Sequence, residues 1–281
     1  MFSSLQKIVA QKNLELLEVK RLSGGDINDV YLLKCTSSDL VIKLNHADKF
    51  PGMFEAEAEG LSILKASESF RIPEIINCGI ESEQAYLLLE NIEQGAISNR
   101  FWTEFAEQLA KLHRSSNSRF GLDHSNYIGS LTQRNNHHDV ASEFYIDERL
   151  EPQFSSVRKQ GYSFSDLDSF YKNISEIIPK ENPSLIHGDL WSGNYLVSSK
   201  GEPVLIDPAV AYAPREMDLA MMQLFGGFQA KVFSIYNEIL PLTENWESRI
   251  PLWQLYYLLV HLNLFGSGYL SRVEQIVKSY S

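Results

Sequence analysis

Between Leu185 and Asp218 the chain reads LIHGDLWSGNYLVSSKGEPVLIDPAVAYAPREMD, and this stretch constrains the fold more than any other. It concentrates His187, Asp189, Asn194 and Asp207 in one short run. Asp189 and Asn194 stand in a D-x-x-x-x-N spacing, and Asp207 follows thirteen residues after Asn194. Tyr195-Leu196-Val197 reads as a short strand, Ser198 to Glu202 as a polar turn, and Val204-Leu205-Ile206 as a second strand. Such a hairpin sets Asn194 and Asp207 side by side in space. Phosphoryl transfer needs a carboxylate to accept the proton of an attacking hydroxyl, and oxygen ligands to hold Mg²⁺ against nucleotide phosphates. Asp189 suits the first task, Asn194 and Asp207 the second. Capping Asp and Asn side chains in ordinary turns are the competing explanation. Four such residues at these spacings, between two strands, favour a site.

The N-terminal third supplies what that site lacks. Ser3 to Gln11 reads as a helix with Leu5, Ile8 and Val9 on one side. Three candidate strands follow, Leu14 to Leu22, Val30 to Cys35 and Leu40 to Leu44. The first turn contains Gly24, Gly25 and Asn28, where two glycines allow a close backbone approach to phosphate. Lys43 lies in the apolar strand Val41-Ile42-Lys43, one strand beyond that turn. Pro51 to Ser67 reads as a helix in which Glu57 shares the apolar face of Met53, Leu61 and Leu64. An acid on such a face needs a partner, and Lys43 is the natural one. Ile72 to Ile76 and Ala85 to Leu89 are two further strands. Glu90 to Gly95 reads as a hinge, with Glu90 and Ile92 against the nucleotide.

Beyond the hinge the pattern turns helical, over Phe101 to Ser115, Val140 to Lys159, Ser165 to Ile178, Leu219 to Phe225, Trp253 to Tyr269 and Arg272 to Tyr280. Phe120 to Asp139 reads as a polar surface loop, Asp218 as a helix cap and His113 as a helix-terminal cation. A net charge of −11 argues against nucleic acid or an anionic membrane as partner. No run approaches a membrane span, and MFSSLQKIVAQKN lacks the apolar core of a signal peptide. Cys35 and Cys78 form no metal-ligand spacing, and reduced thiols in a cytoplasmic protein are expected.

The catalytic stretch resembles the kinase pattern H-R-D-L-x-x-x-N followed by D-F-G, with Gly188 in place of the Arg and I-D-P as the second motif. Those departures resemble small-molecule kinases of the aminoglycoside phosphotransferase type. SGGDIN at Ser23 to Asn28, VIKLN around Lys43, MFEAEAEGL, HGDLWSGN, IDPAVAY, REMDLAMMQLFGGF and HLNLFGSGY together resemble the fructosamine kinase (ketosamine-3-kinase) family, bacterial members in particular, over nearly the whole chain. That resemblance implies an α+β, bilobal protein-kinase-like fold: a small β-rich N-terminal lobe with one main helix (residues 1–90) and a larger, mostly helical C-terminal lobe (91–281). It implies transfer from ATP, with Mg²⁺, to the 3-hydroxyl of a small-molecule or protein-bound ketosamine, and so a part in protein deglycation. It gives Asp189 as base, Asn194 and Asp207 as metal ligands, Lys43 with Glu57 as the phosphate-orienting pair, and Trp191 and His261 on the sugar side. A monomer is the expected state. A kinase for an aminoglycoside or amino alcohol, or a nucleotide-binding pseudokinase scaffold, is the alternative.

Overall fold

The computed structural model describes residues 2–12, 14–22 and 27–281. Gly24 and Gly25 lie outside the described residues. The first part is a five-stranded antiparallel sheet with a helix on each face. Helix α1 (Phe2–Gln11) is followed by β1 (Leu16–Arg21), β2 (Asp29–Cys35), β3 (Leu40–His46), α2 (Met53–Ala66), β4 (Ile75–Glu81) and β5 (Gln84–Glu90). The strand order is β1-β2-β3-β5-β4. Side chains alternate across each strand. Ile42, Leu44, Tyr86 and Leu88 therefore pack with Leu5, Ile8 and Val9 of α1. Ala85, Leu87 and Leu89 point the other way, to Phe54, Leu61 and Leu64 of α2. Lys43 belongs to the α2 side of the central strand β3 and is buried there.

Strand β4 departs from its expected place. It begins at Ile75 rather than Ile72 and runs through the supposed polar turn to Glu81. Pro73 has no N–H for the ladder, and a register shift between Ile75 and Asn77 starts the pairing afresh. Cys35 is buried, Cys78 half-buried, and both are free.

Helix α3 (Phe101–Arg114) opens the second part. The expected surface loop after it is largely incorrect. It contains a hairpin of β6 (Asn126–Ile128) and β7 (Leu131–Gln133), and Asn126, Gln133 and Asn135 are buried. Their amides are satisfied internally: Asn126 Nδ2 donates to Val210 O (2.9 Å), and Gln133 Nε2 to Ala209 O (3.2 Å) and Asn126 Oδ1 (2.8 Å). Paired polar groups can be buried at little cost.

Next come α4 (Ala141–Phe144), a π-helical turn Tyr145–Leu150, α5 (Glu151–Lys159), α6 (Leu167–Ile177), β8 (Ser184–Ile186), β9 (Tyr195–Val197), β10 (Pro203–Leu205) and β11 (Ala211–Ala213). Helices α7 (Glu216–Leu224), α8 (Ala230–Ile239), α9 (Trp246–Phe265) and α10 (Leu270–Tyr280) complete the chain. Helix α9 is the core of this part, with Leu252, Leu255, Tyr257, Leu259 and Leu262 fully buried. An ion pair of Arg249 with Glu216 (2.6 Å), joined by Trp253 Nε1 (2.7 Å to Glu216), ties α9 to α7.

Candidate active site

The hairpin β9–β10 does what its sequence suggests. Leu205 pairs with Tyr195, and Ile206 N donates to Asn194 O at 3.1 Å, so Asn194 and Asp207 flank the open end together. Asn194 Nδ2 then reaches across, to Asp189 O (2.9 Å), Asp189 Oδ2 (3.1 Å) and Asp207 O (3.4 Å). Three residues from two loops are thereby held by one amide. Asp207 adopts the left-handed region (φ 55°), which costs a non-glycine residue energy and persists where surrounding structure enforces it.

That enforcement is visible. His187 Nε2 donates to Ile206 O at 2.9 Å, and its Nδ1 accepts from Asp189 N at 3.3 Å. Burial pushes the His187 pKa down, which suits the neutral tautomer these bonds require. Gly188 has φ 82°, and a Cβ there would lie 2.0 Å from Ala209 O. The Gly in the place of a kinase Arg is therefore a steric requirement of two loops in contact. Asp218, expected as a cap, lies inside α7 instead. Its carboxylate accepts from His187 N (2.8 Å) and Gly188 N (2.9 Å) and contacts His113 Nε2 (3.2 Å). His113 is likewise no exposed helix-end cation: it is buried, with Nδ1 on Tyr236 Oη at 2.8 Å.

From the sheet, Lys43 Nζ meets Glu57 Oε1 at 2.6 Å and Asp207 Oδ1 at 2.5 Å. Burial opposes the charge on Lys43, but the facing carboxylates of Asp207 and Glu57 outweigh it and raise its pKa, so the ammonium stays charged. Asp189 moves the opposite way to an ordinary carboxylate. Burial first, then the negative charge of Asp207, raise its pKa to about 7 against a partial offset from the Asn194 hydrogen bond.

These groups border one cavity of about 810 Å³. Asn28, Lys43, Glu57, Glu90 and Ile92 line it from the sheet side and the segment after β5. Asp189, Trp191, Asn194 and Asp207 line it from below. Leu22, Val30, Val41, Leu196 and Ile206 add apolar lining. The Glu90 carboxylate is turned to Arg71 (2.5 Å) and Glu74 N (3.1 Å), and its N–H donates to Glu74 O (2.8 Å), so neither the carboxylate nor the N–H is offered to a ligand. Asn28 Oδ1 accepts from Asn45 Nδ2 at 3.2 Å. The Trp191 ring lies directly on Gly193, where a Cβ would be 2.3 Å from Cη2. His261 is not on the cavity lining; its Nδ1 faces Tyr257 O (2.7 Å) and its ring packs on Phe225 (5.0 Å).

The donor set fits Mg²⁺. This ion takes one or two carboxylates and completes its shell with water and substrate phosphates. Asp207 offers a carboxylate 43% exposed to the cavity. Asn194 spends its NH₂ on the Asp189 loop, which leaves Oδ1 as the free atom. No group of three His, Cys, Asp or Glu suited to a metal occurs among the described residues, so a protein-only cage is not on offer there.

Sequence reasoning missed Asp218 with His113, Gln133 with Asn126, and Phe225. Buried polar partners leave no local spacing to read. Phe225 carried a signal in the F-G-G-F run, but nothing tied that run to Trp191.

The sheet-over-helices plan with this catalytic stretch at their junction is that of a protein-kinase-like phosphotransferase. An aminoglycoside phosphotransferase solved with AMP-PNP and hygromycin B shares the fold, with a TM-score of 0.64 at 19% identity over 98% of each chain. A family model described as fructosamine kinase matches residues 2–281. A protein of Enterococcus faecium named "probable ketoamine kinase" is 40% identical over 263 residues, 92% of this chain and 93% of its own. The crystal structure of a proposed fructosamine-3-kinase from Haemophilus somnus superposes with a TM-score of 0.90 at 26% identity, covering 100% of this chain and 97% of that one. The chain belongs to the fructosamine kinase family, phosphotransferases whose acceptor is a hydroxyl of a sugar amine.

Proposed function

We propose that this protein transfers the γ-phosphoryl group of ATP to the 3-hydroxyl of ketosamines, sugars already joined to an amine such as a lysine side chain. The observation that carries the reading is the convergence of Lys43, Asp189, Asn194 and Asp207 on one cavity from elements far apart in sequence. Asp189 accepts the proton of the 3-hydroxyl as O3 bonds to phosphorus and the bond to ADP breaks. A carboxylate whose pKa stands near 7 is well matched to that task. Lys43, aligned by Glu57, neutralises phosphate charge, and Asn28 lines the same cavity. The apolar lining that includes Val41 and Leu196 takes the adenine, whose edge meets the backbone of Glu90 and Ile92. Asn194 and Asp207 would hold Mg²⁺, which neutralises charge on the phosphates when bound. Trp191 offers an indole face to the sugar.

On this reading residues 1–90 and 91–281 are the two lobes, meeting at the hinge. The protein works as a cytoplasmic monomer in deglycation, since enolisation between C1 and C2 makes a C3 phosphate a good leaving group and frees the amine. No helix among the described residues is long and apolar enough to cross a membrane. The test is to incubate the protein with ATP, Mg²⁺ and ribulosyl-lysine and follow phosphate and lysine release. Time-dependent release of both is expected. Robust phosphorylation of aminoglycosides with none of any ketosamine would overturn the substrate assignment.

A further inference from the structure

Among the described residues, the exposed large apolar side chains include three aromatics: Trp191 (39%), Phe225 (44%) and Phe265 (56%). They are not scattered. The Trp191 and Phe225 rings are 6.5 Å apart and inclined at 76°. Phe225 continues to His261 at 5.0 Å, and His261 to Phe265 at 5.5 Å and Tyr269 at 5.1 Å. The rings come from the catalytic loop, the end of α7, the end of α9 and the turn beyond it. Trp191 also lines the cavity, whereas Phe225 and Phe265 do not. The row thus starts two residues from Asp189 and leads outward along the surface.

A contiguous exposed aromatic row signals a ligand surface more than a stray apolar patch does. Its chemistry and its starting point select the occupant. In a ketosamine the amine sits on C1, two carbon–carbon bonds from C3, and a secondary alkylamine is protonated at neutral pH. With O3 at Asp189, the ammonium on C1 comes within reach of Trp191, the first ring of the row and part of the cavity lining. Aromatic faces attract such a cation, most of all where several rings share it. The row adds no competing positive charge, because burial lowers the His261 pKa and keeps the imidazole neutral. The net charge of −11 favours a cationic ligand as well.

We propose that Trp191, Phe225, Phe265 and Tyr269 form an aromatic ledge that binds the ammonium of the substrate and the first part of its carrier, and thereby favours amine adducts over uncharged sugars. This deepens the ketosamine reading and rests on it for the identity of the sugar.

The test uses the full chain and two acceptors that differ at one atom: a 1-alkylamino-1-deoxyketose, and its neutral analogue with an ether oxygen in place of the amine. Wild type, Phe225→Leu and Phe265→Leu are compared, since leucine keeps apolar volume and removes the ring. The KM and the calorimetric Kd of the charged acceptor should rise about 5- to 10-fold in Phe225→Leu. The neutral analogue should move less than about twofold. Equal rises for both acceptors, or no rise for either, would overturn the ledge as an ammonium site and leave the kinase reading standing. A concentration-dependent dimer in sedimentation, lost in Phe225→Leu while KM stays put, would overturn it in favour of contact between copies. If wild type neither phosphorylates nor binds any ketosamine, the kinase reading fails instead. The ledge is then judged with dibutylammonium alone: quenching of tryptophan fluorescence that Phe225→Leu abolishes supports it, and no binding overturns it.

Discussion

Asp189 is the group through which chemistry and stability can be separated. Its carboxyl titrates in the fold near 7 rather than at its ordinary 3.8, because burial and the charge of Asp207 oppose ionisation. A folded-state pKa above the unfolded value means that the folded protein binds the extra proton. The cost to stability therefore appears as pH rises above about 4 and is complete above about 7. Three pKa units correspond to about 4 kcal/mol. The side chain is partly open to the cavity, and halving for solvent screening leaves about 2 kcal/mol. Asp189→Asn keeps the shape and removes the charge. Metal-free Asp189→Asn should be more stable than wild type by about 2 kcal/mol at pH 8, or roughly 4–8 °C in Tm. At pH 5, closer to the unfolded value, the gain should be smaller than at pH 8. Turnover should fall about 100-fold or more, the usual loss for an acid–base group, while nucleotide still binds. Thermal unfolding in EDTA at the two pH values, beside a turnover assay, reads both effects. A variant equally or less stable at pH 8 would refute the electrostatic argument. Near wild-type turnover would refute the role as base.

Three further perturbations follow from the same geometry. Lys43→Met strands Glu57 in the sheet–helix interface and should cost about 3–5 kcal/mol in denaturant unfolding, and adding Glu57→Gln should recover most of the stability but none of the turnover. Asp207→Ala should abolish the tightening of ATP binding by Mg²⁺ in calorimetry, since a hard oxygen ligand is gone; a wild-type response would show that the ion sits elsewhere. Gly193→Ala puts a methyl where the Trp191 ring lies and should raise the ketosamine KM several-fold, yet have no added effect in a Trp191→Ala background; additive losses would mean that Gly193 acts by another route.

The parts of the site legible in the sequence share a property: each is set by a short-range rule. Hairpin periodicity put Asn194 beside Asp207, and helical spacing put Glu57 on the apolar face of α2, so only the choice of Lys43 as partner needed tertiary imagination. Helix α9 shows the limit. A helix buried on almost every side has no amphipathic stripe to read, and Pro251 near its start hid the first turns. The hairpin β6–β7 shows another. Asn126 and Gln133 have the composition of a loop, and the carbonyls of Val210 and Ala209, some eighty residues away, receive their amides in the interior. Asp218 obeyed the rule for helix N-termini in position but spent its carboxylate on the catalytic loop. The aromatic row was invisible for the same reason, its members lying on elements whose meeting no local pattern records.

The two departures from the protein-kinase motif acquire a common cause from this packing. Residues 207–210 are gripped from every side. Gly188 leaves room for Ala209 O, His187 O accepts from Ala209 N at 2.9 Å, and Gln133 and Asn126 hold the carbonyls of Ala209 and Val210. From above, Gly60 of α2 approaches Val210 and Pro208, with a Cβ position 3.2 and 3.4 Å from them. Gly60 lies one turn beyond Glu57, so the same contact that seats Pro208 also fixes the register of the Glu57–Lys43 pair over Asp207. An Arg at position 188 would collide with Ala209, and a Phe at 208 would drive α2 away. The chain leaves Asp207 directly into β11, paired with β8, and reaches α7 at Glu216. The segment that carries Asp207 is thus built into the sheet–helix junction. A carboxylate held in that way is set before substrate arrives, which suits catalysis by preorganised charge.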